Sequence, residues 1–344
     1  MTVTDAGGSI SLAAADAATG GVGANPFASL LSSSVAFGLG VDDLLAWLSI
    51  ATFVAAIGLH WRDRIEVARY VAAAGSALFG LYWLAMVPYF WGEVNSPLET
   101  LLALAALPLC LYAAYLLLSG RDSMFVLVRA VAVMGIIYLP AETIPVAREW
   151  LIETTAYQTH VAMDLVAESP GLETGSNGYE SRLAFDPEAT ATGRTTYIVL
   201  SCTGLGSMAI FTGLIASVTA PWRRKLAGIA AAVSIIWFLN LVRNVFIGLA
   251  TPHGWFQQGP FVYMATEWMG SVPERASFLA SHNVIAQPAS VVALVGIAFV
   301  VIRFVPEVFD PLEEVLFVLT GDEYDLAEAF GTATESETGK PTAD

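Results

Sequence analysis

The sequence predicts an all-α, polytopic helical membrane protein with about seven transmembrane helices, and three observations carry that prediction. Hydrophobic residues fill 56% of the 344 positions and charged residues only 13%, where a soluble domain carries about 25% charged residues. The mean hydropathy of the whole chain is +0.64. The apolar residues also fall in continuous runs of ~20, long enough to cross a hydrocarbon core as helices. They do not alternate as β-barrel strands would. A soluble enzyme, a disordered chain and a coiled coil are excluded on the same grounds.

Residues 1–26 are Gly, Ala, Ser and Thr with two acids and read as a flexible tail. Residues 27–40 are apolar but interrupted by Ser and Gly, which suits an interfacial segment or an early turn of the first helix. No basic n-region precedes the first apolar run, so no cleavable signal peptide is expected. Spanning helices are expected near 41–60, 67–91, 98–118, 124–146, 196–219, 226–251 and 278–304. Residues 27–305 form the transmembrane catalytic domain in this reading. Residues 306–344 form an acidic tail, disordered after about 331.

Basic residues in short connections set the orientation of such a chain. Arg62, Arg64 and Arg69 flank the first connection, Arg121 lies in the third, and Arg223, Arg224 and Lys225 lie in the fifth. The second connection has no base and the sixth has only Arg275. This alternation puts the N-terminus outside and the C-terminus in the cytoplasm of a plasma-membrane protein. The long fourth connection, 147–195, then lies outside. Its first part (REWLIETTAYQTHVAMDLVA) reads as an amphipathic interfacial helix. Its second part is acidic and turn-rich.

The net charge is −16, and the segment from Glu307 onward holds eleven acids against one base, Lys340. That sign argues against nucleic-acid binding. Only two of the 15 bases are lysine, Lys225 and Lys340. An acidic, Lys-poor chain suits a salt-rich cytoplasm, where screening tolerates self-repulsion, and a haloarchaeal source is the corresponding expectation. The two cysteines, Cys110 and Cys202, cannot build a disulfide framework or a multi-Cys metal site. No cofactor and no metal are expected.

An ionisable side chain inside a membrane helix is costly and marks a function by default. Cys202 falls about six residues below the outer end of the fifth helix, Arg243 about eight below that of the sixth, and His282 about five into the seventh. At 1.5 Å per residue all three lie ~8–12 Å from the outer surface. A thiolate is the reactive form of cysteine, and a neighbouring Arg or protonated His favours it. Arg also binds a developing oxyanion, and His relays a proton from thiol to leaving amine. Together they would make an acyl-transfer site.

The bland readings weigh differently for each residue. A lone membrane cysteine is usually a small core residue, and Cys110 is read that way. Gly204, Gly206 and Ser207 beside Cys202 suit a helix-packing face or close approach of a substrate backbone, with nothing to choose between them. Arg243 has no acid near it on its own helix, and Asn240 and Asn244 flank it as candidate partners of the guanidinium. His60, His160 and His253 sit at membrane edges or in loops. Glu142, between Pro140 and Pro145, is expected to face water rather than pair with Arg243 or His282. Ser201 and Ser207 are the candidates for a serine-type variant, which would also have to use His282.

The segments YIVLSCTGLGSMAIFTGLI, NLVRNVFIG and SHNVIAQPASVVALVGIA, with 41 and then 39 residues from Cys202 to Arg243 to His282, resemble the exosortase/archaeosortase family. The resemblance covers roughly 40–326 and is most specific between 197 and 290. EEVLFVLTGDEYDL looks like the archaeosortase A branch, although the third position of that branch is frequently Arg, and His282 fits the broad family better.

The resemblance implies a membrane-embedded cysteine transpeptidase. Its substrates would be secreted or S-layer proteins carrying a C-terminal sorting signal: a short motif, of Pro-Gly-Phe type in that branch, then a hydrophobic span and a basic cluster. The new C-terminus would pass to a membrane lipid. Cys202 would be the nucleophile, Arg243 the thiolate or oxyanion stabiliser and His282 the acid/base, with Gly204, Asn240 and Asn244 in support. The alternatives are an anion-binding transporter, a plain intramembrane protease and a non-catalytic assembly factor.

Overall fold

Long apolar runs dictate long helices, and they run on through internal prolines at Pro88, Pro108 and Pro140. A computed structural model describes residues 40–92, 97–166, 170–186 and 190–331. The expectations for residues 1–26, for nearly all of 27–40 and for the tail beyond 331 lie outside the described residues.

The chain opens with α1 (Val41–His60), α2 (Ile65–Gly92), α3 (Pro97–Leu118) and α4 (Phe125–Thr143). After α5 (Pro145–Val166) come β1 (Gly171–Thr174), β2 (Glu180–Ala184) and β3 (Thr196–Tyr197). Next are α6 (Leu205–Ser217), α7 (Trp222–His253), the short α8 (Gly259–Tyr263) and α9 (Ala276–Leu279). A π-helical segment, Ala280–Ala286, leads into α10 (Gln287–Phe304), followed by α11 (Phe309–Thr320) and α12 (Leu326–Ala329).

Among the described residues six helical stretches are long and apolar enough to span a membrane, and Leu205–Ser217 is a shorter apolar helix. Half or less of each spanning window is buried inside the protein, so the remaining apolar surface suits hydrocarbon rather than water. All seven expected runs therefore contain a helix. The fifth is cut to 13 residues because 196–204 is not α-helical. It holds β3, a 3₁₀ turn over Leu200–Thr203, and Gly204 at φ +75°.

The fourth connection is more ordered than its composition suggests. Helix α5 buries Ile152, Ala156, Thr159 and Met163, one stripe at helical spacing. The acidic stretch after it forms an antiparallel sheet in the order β1-β2-β3, with Leu172 opposite Leu183 and Leu183 opposite Thr196. Two features build it. Asn177-Gly178 makes the turn, with Gly178 at φ +81° and the Asn177 Oδ1 accepting from the Tyr179 amide at 3.3 Å. Strand β2 alternates, with Ser181 and Leu183 fully buried between exposed Glu180 and Arg182.

The described residues divide into two compact units, one drawn from 40–44, 136–209 and 232–298, the other from 45–135, 210–231 and 299–331. In the first, Met163 of α5, Leu183 of β2 and Leu249 of α7 form one buried cluster. A Cβ at Gly248 would come within 2.8 Å of the Met163 Cε, so a side chain there would push the methionine tip aside. The chain before β3 is tied to the end of α7, where the Thr192 hydroxyl donates to the Thr251 carbonyl at 2.9 Å.

In the second unit α2 packs along α3, and the Phe53 ring lies 2.8 Å from where a Gly75 Cβ would stand. Here α11 buries Phe309, Pro311 and Glu314. Arg121 joins this helix through Glu314 at 2.8 Å and also pairs with Glu323 at 2.7 Å. Half-buried Cys110 lines an apolar cavity of about 250 Å³ with Phe79, Trp83 and Leu117.

Candidate active site

The three ionisable residues come from three different kinds of backbone, all in the first unit. Cys202 is not inside a membrane helix as its spacing suggested. It sits in the 3₁₀ turn Leu200–Thr203, just before α6. Thr203 steadies that turn from both sides: its hydroxyl donates to the Leu200 carbonyl at 2.7 Å and accepts from the Leu205 amide at 3.3 Å. Gly204 then adopts φ +75°, which a side chain would strain. A Cβ there would also lie 3.2 Å from the Asn240 side chain. Gly204 thus ends the cysteine turn and admits α7 close behind it, which agrees with the helix-packing reading of this glycine, while its positive φ was not anticipated.

Asn240 and Asn244 lie one turn apart on α7. Both aim their amides at one oxygen: the Cys202 carbonyl accepts from Asn240 Nδ2 at 2.6 Å and from Asn244 Nδ2 at 2.8 Å. The asparagines were expected to hold the guanidinium of Arg243. They hold the peptide of the cysteine instead, because one face of α7 carries them towards the turn. On the opposite side of that turn, Cys202 packs against Ile152, Ala156 and Ile198. Helix α5 of the fourth connection therefore packs directly against the cysteine turn.

Arg243 follows from the same helix and reaches the π-helical segment. One terminal guanidinium nitrogen lies 3.1 Å from the His282 Nε2. Guanidinium nitrogens only donate, so Nε2 accepts and the imidazole is neutral with its proton on Nδ1. Nδ1 in turn stands 2.6 Å from the Asn283 Oδ1. The ring stacks on Phe278, with centroids 5.2 Å apart and planes at 17°. The Arg243 Nε is buried and has no acceptor among the described residues. Glu142 meets neither group. It pairs with Arg148 at 2.9 Å while staying partly exposed.

The arrangement thus joins the cysteine turn to α7 through two asparagines, and α7 to the histidine segment through an arginine. It combines a half-buried thiol, a neutral imidazole and a guanidinium with one donor unspent. Sequence reasoning missed Asn283, whose only signal was its place next to His282. Two of the other histidines face aromatic rings: His60 lies 4.5 Å from the Phe125 ring and His253 5.5 Å from the Phe185 ring. Among the described residues no group of three His, Cys, Asp or Glu side chains could hold a metal ion.

Comparison with known proteins identifies the framework. The family model for transmembrane exosortases matches residues 44–272. The chain belongs to the transmembrane exosortase family. The match takes in Cys202 and Arg243 and ends before His282. Archaeosortase A of Haloferax volcanii is 43% identical over 302 residues, which cover 85% of this chain and 98% of the relative. Archaeosortase A of Natronomonas pharaonis is 41% identical over 285 residues, covering 80% of this chain and 89% of the relative. No solved structure matches.

Proposed function

We propose that this exosortase-family enzyme cleaves C-terminal sorting signals by a cysteine transpeptidase mechanism, with Cys202 as nucleophile. The coarse statement stands on the relatives: this is a multi-pass membrane enzyme of the sortase-like transpeptidase type. The observation that carries the finer one is the Arg243–His282 contact at 3.1 Å, made from the helix whose asparagines hold the cysteine turn.

The chemistry runs as follows in this reading. His282 Nε2 takes the thiol proton once Arg243 turns from it to the substrate. The thiolate adds to the scissile carbonyl, and Arg243, including its unspent Nε, donates to the oxyanion. The C–N bond breaks, the leaving amine takes the proton from His282, and a thioester on Cys202 remains. An acceptor hydroxyl or amine then gives its proton to His282 and attacks the thioester, forming the new ester or amide, and the released Cys202 thiolate takes that proton back. A membrane lipid is the proposed acceptor, and the tails of secreted or S-layer proteins with a Pro-Gly-Phe motif are the proposed substrates. The alternating basic connections support a site opening to the cell exterior and a cytoplasmic C-terminus.

The test is Cys202→Ala in cells that express a tailed surface protein. The variant is expected to insert and elute from detergent chromatography like the parent, while the full-length substrate accumulates. Normal processing by this variant would refute the assignment.

A further inference from the structure

The histidine is held more completely than a simple acid/base needs. Its Nε2 is engaged by Arg243, its Nδ1 by Asn283 at 2.6 Å, and its plane by Phe278. Neighbouring residues on an α-helix diverge around the axis and do not face each other. His282 and Asn283 meet on the π-helical segment Ala280–Ala286, a rare geometry that recurs at functional sites. The segment is anchored from within, since Ser281 is fully buried and its hydroxyl donates to the Phe278 carbonyl at 3.1 Å. Arg243 is the charged group that touches the ring, and it comes from α7. Asn283 is neutral and offers Nδ1 an acceptor.

We infer that Asn283 is a positioning residue that fixes His282 in the tautomer with the proton on Nδ1, leaving Nε2 as the base for the Cys202 thiol. The inference rests on the proposed Cys202–His282 chemistry and adds a third member to it. An imidazole free to exchange tautomers spends part of its time with a proton where the base must be. An acceptor on Nδ1 also stabilises the imidazolium that forms when the thiol ionises, the role a carboxylate or amide plays in unrelated triads. The contact ends at the histidine, so Asn283 acts through it.

The experiment compares Asn283→Ala, Asn283→Asp and His282→Ala in purified full-length enzyme, with a peptide carrying the sorting motif and span in detergent micelles. Asn283→Ala is expected to lower kcat about 10- to 100-fold with little change in KM. Asn283→Asp keeps the acceptor and adds charge, so activity should largely survive while the acidic limb of the pH–rate profile moves to higher pH. In a His282→Ala background, Asn283→Ala should cost nothing further. An unmoved pH limb in Asn283→Asp, or an undiminished further loss in the His282→Ala background, would overturn the inference even with Cys202 as nucleophile. Turnover by Cys202→Ala in the same assay would instead remove the reading beneath it.

Discussion

Two arginines on apolar frameworks show how differently the two units use a half-buried cation. Arg121, in the second unit, spends four of its five N–H donors on two carboxylates. Its Nε and one terminal nitrogen bind Glu314, its terminal nitrogens bind Glu323, and its guanidinium carbon lies 3.5 Å from the centre of the Phe317 ring. Arg243, in the first unit, has no carboxylate beside it in any described contact. It binds a neutral imidazole and leaves a buried Nε without an acceptor. A satisfied ion-pair network fixes structure. In the proposed mechanism, a cation held by one neutral partner takes up charge that arrives later, and the contrast is then one between fastening and chemistry.

The sharpest way to break that contrast is to change Arg243. Arg243→Ala is expected to lower kcat for cleavage about 10³-fold, and Arg243→Lys about 10²-fold, because an ammonium keeps the charge but not the planar fork. Single-turnover cleavage of a tailed peptide, with the melting temperature as a control, reads both. Loss of folding in proportion to loss of activity would make Arg243 a fastener like Arg121.

A smaller effect is expected at the clamp on the cysteine turn. Asn240 and Asn244 donate to the same Cys202 carbonyl. Removing either should cost about 1 kcal/mol of barrier, roughly fivefold in rate. Removing both should cost more than the product of the two, because the oxygen then loses its last described donor. Strict multiplicativity in the double variant would show that the clamp does not hold the thiol in place.

The sequence was most informative where a single physical term dominates. Burial in hydrocarbon writes long apolar runs, and the six long helices lie where those runs lie, from Val41 to Phe304. It was least informative where several weak terms compete. Residues 196–204 are apolar enough to pass for a helix, yet Gly204 must stand at φ +75° and the strand β3 must pair with β2. The acidic composition of 171–197 hid a hairpin whose Asn-Gly turn and alternating β2 are both plain in retrospect. Cys202, Arg243 and His282 stood out because polar side chains are rare in these runs. Asn240, Asn244 and Asn283 were harder to place, because nothing in a sequence says which oxygen or nitrogen an amide will find. Spacing along a helix put Asn240 and Asn244 beside Arg243, whereas the fold turns their amides towards the Cys202 carbonyl.

The smallest expected effect is acid sensitivity at the fastening arginine, and its sign follows from the groups around it. The hydrogen bond from Arg121 holds the Glu323 carboxyl below its ordinary value, and the same pairing raises Arg121. A depressed carboxyl stabilises the fold above its unfolded-state value, and that contribution fades as pH falls through the lower folded value. Burial does the opposite to Asp310 and Glu313 on α11, raising both. Their contribution is present at low pH and disappears as pH rises through the raised folded values. Acidification should therefore loosen the Arg121–Glu323 pair while relieving α11. Melting temperature against pH for the parent and for Glu323→Gln separates these terms. The variant should lose a few degrees at neutral pH and converge on the parent below the ordinary glutamate range, with sorting activity of the folded enzyme unchanged. A constant offset at every pH would mean that Glu323 stabilises through shape rather than through its charge on Arg121.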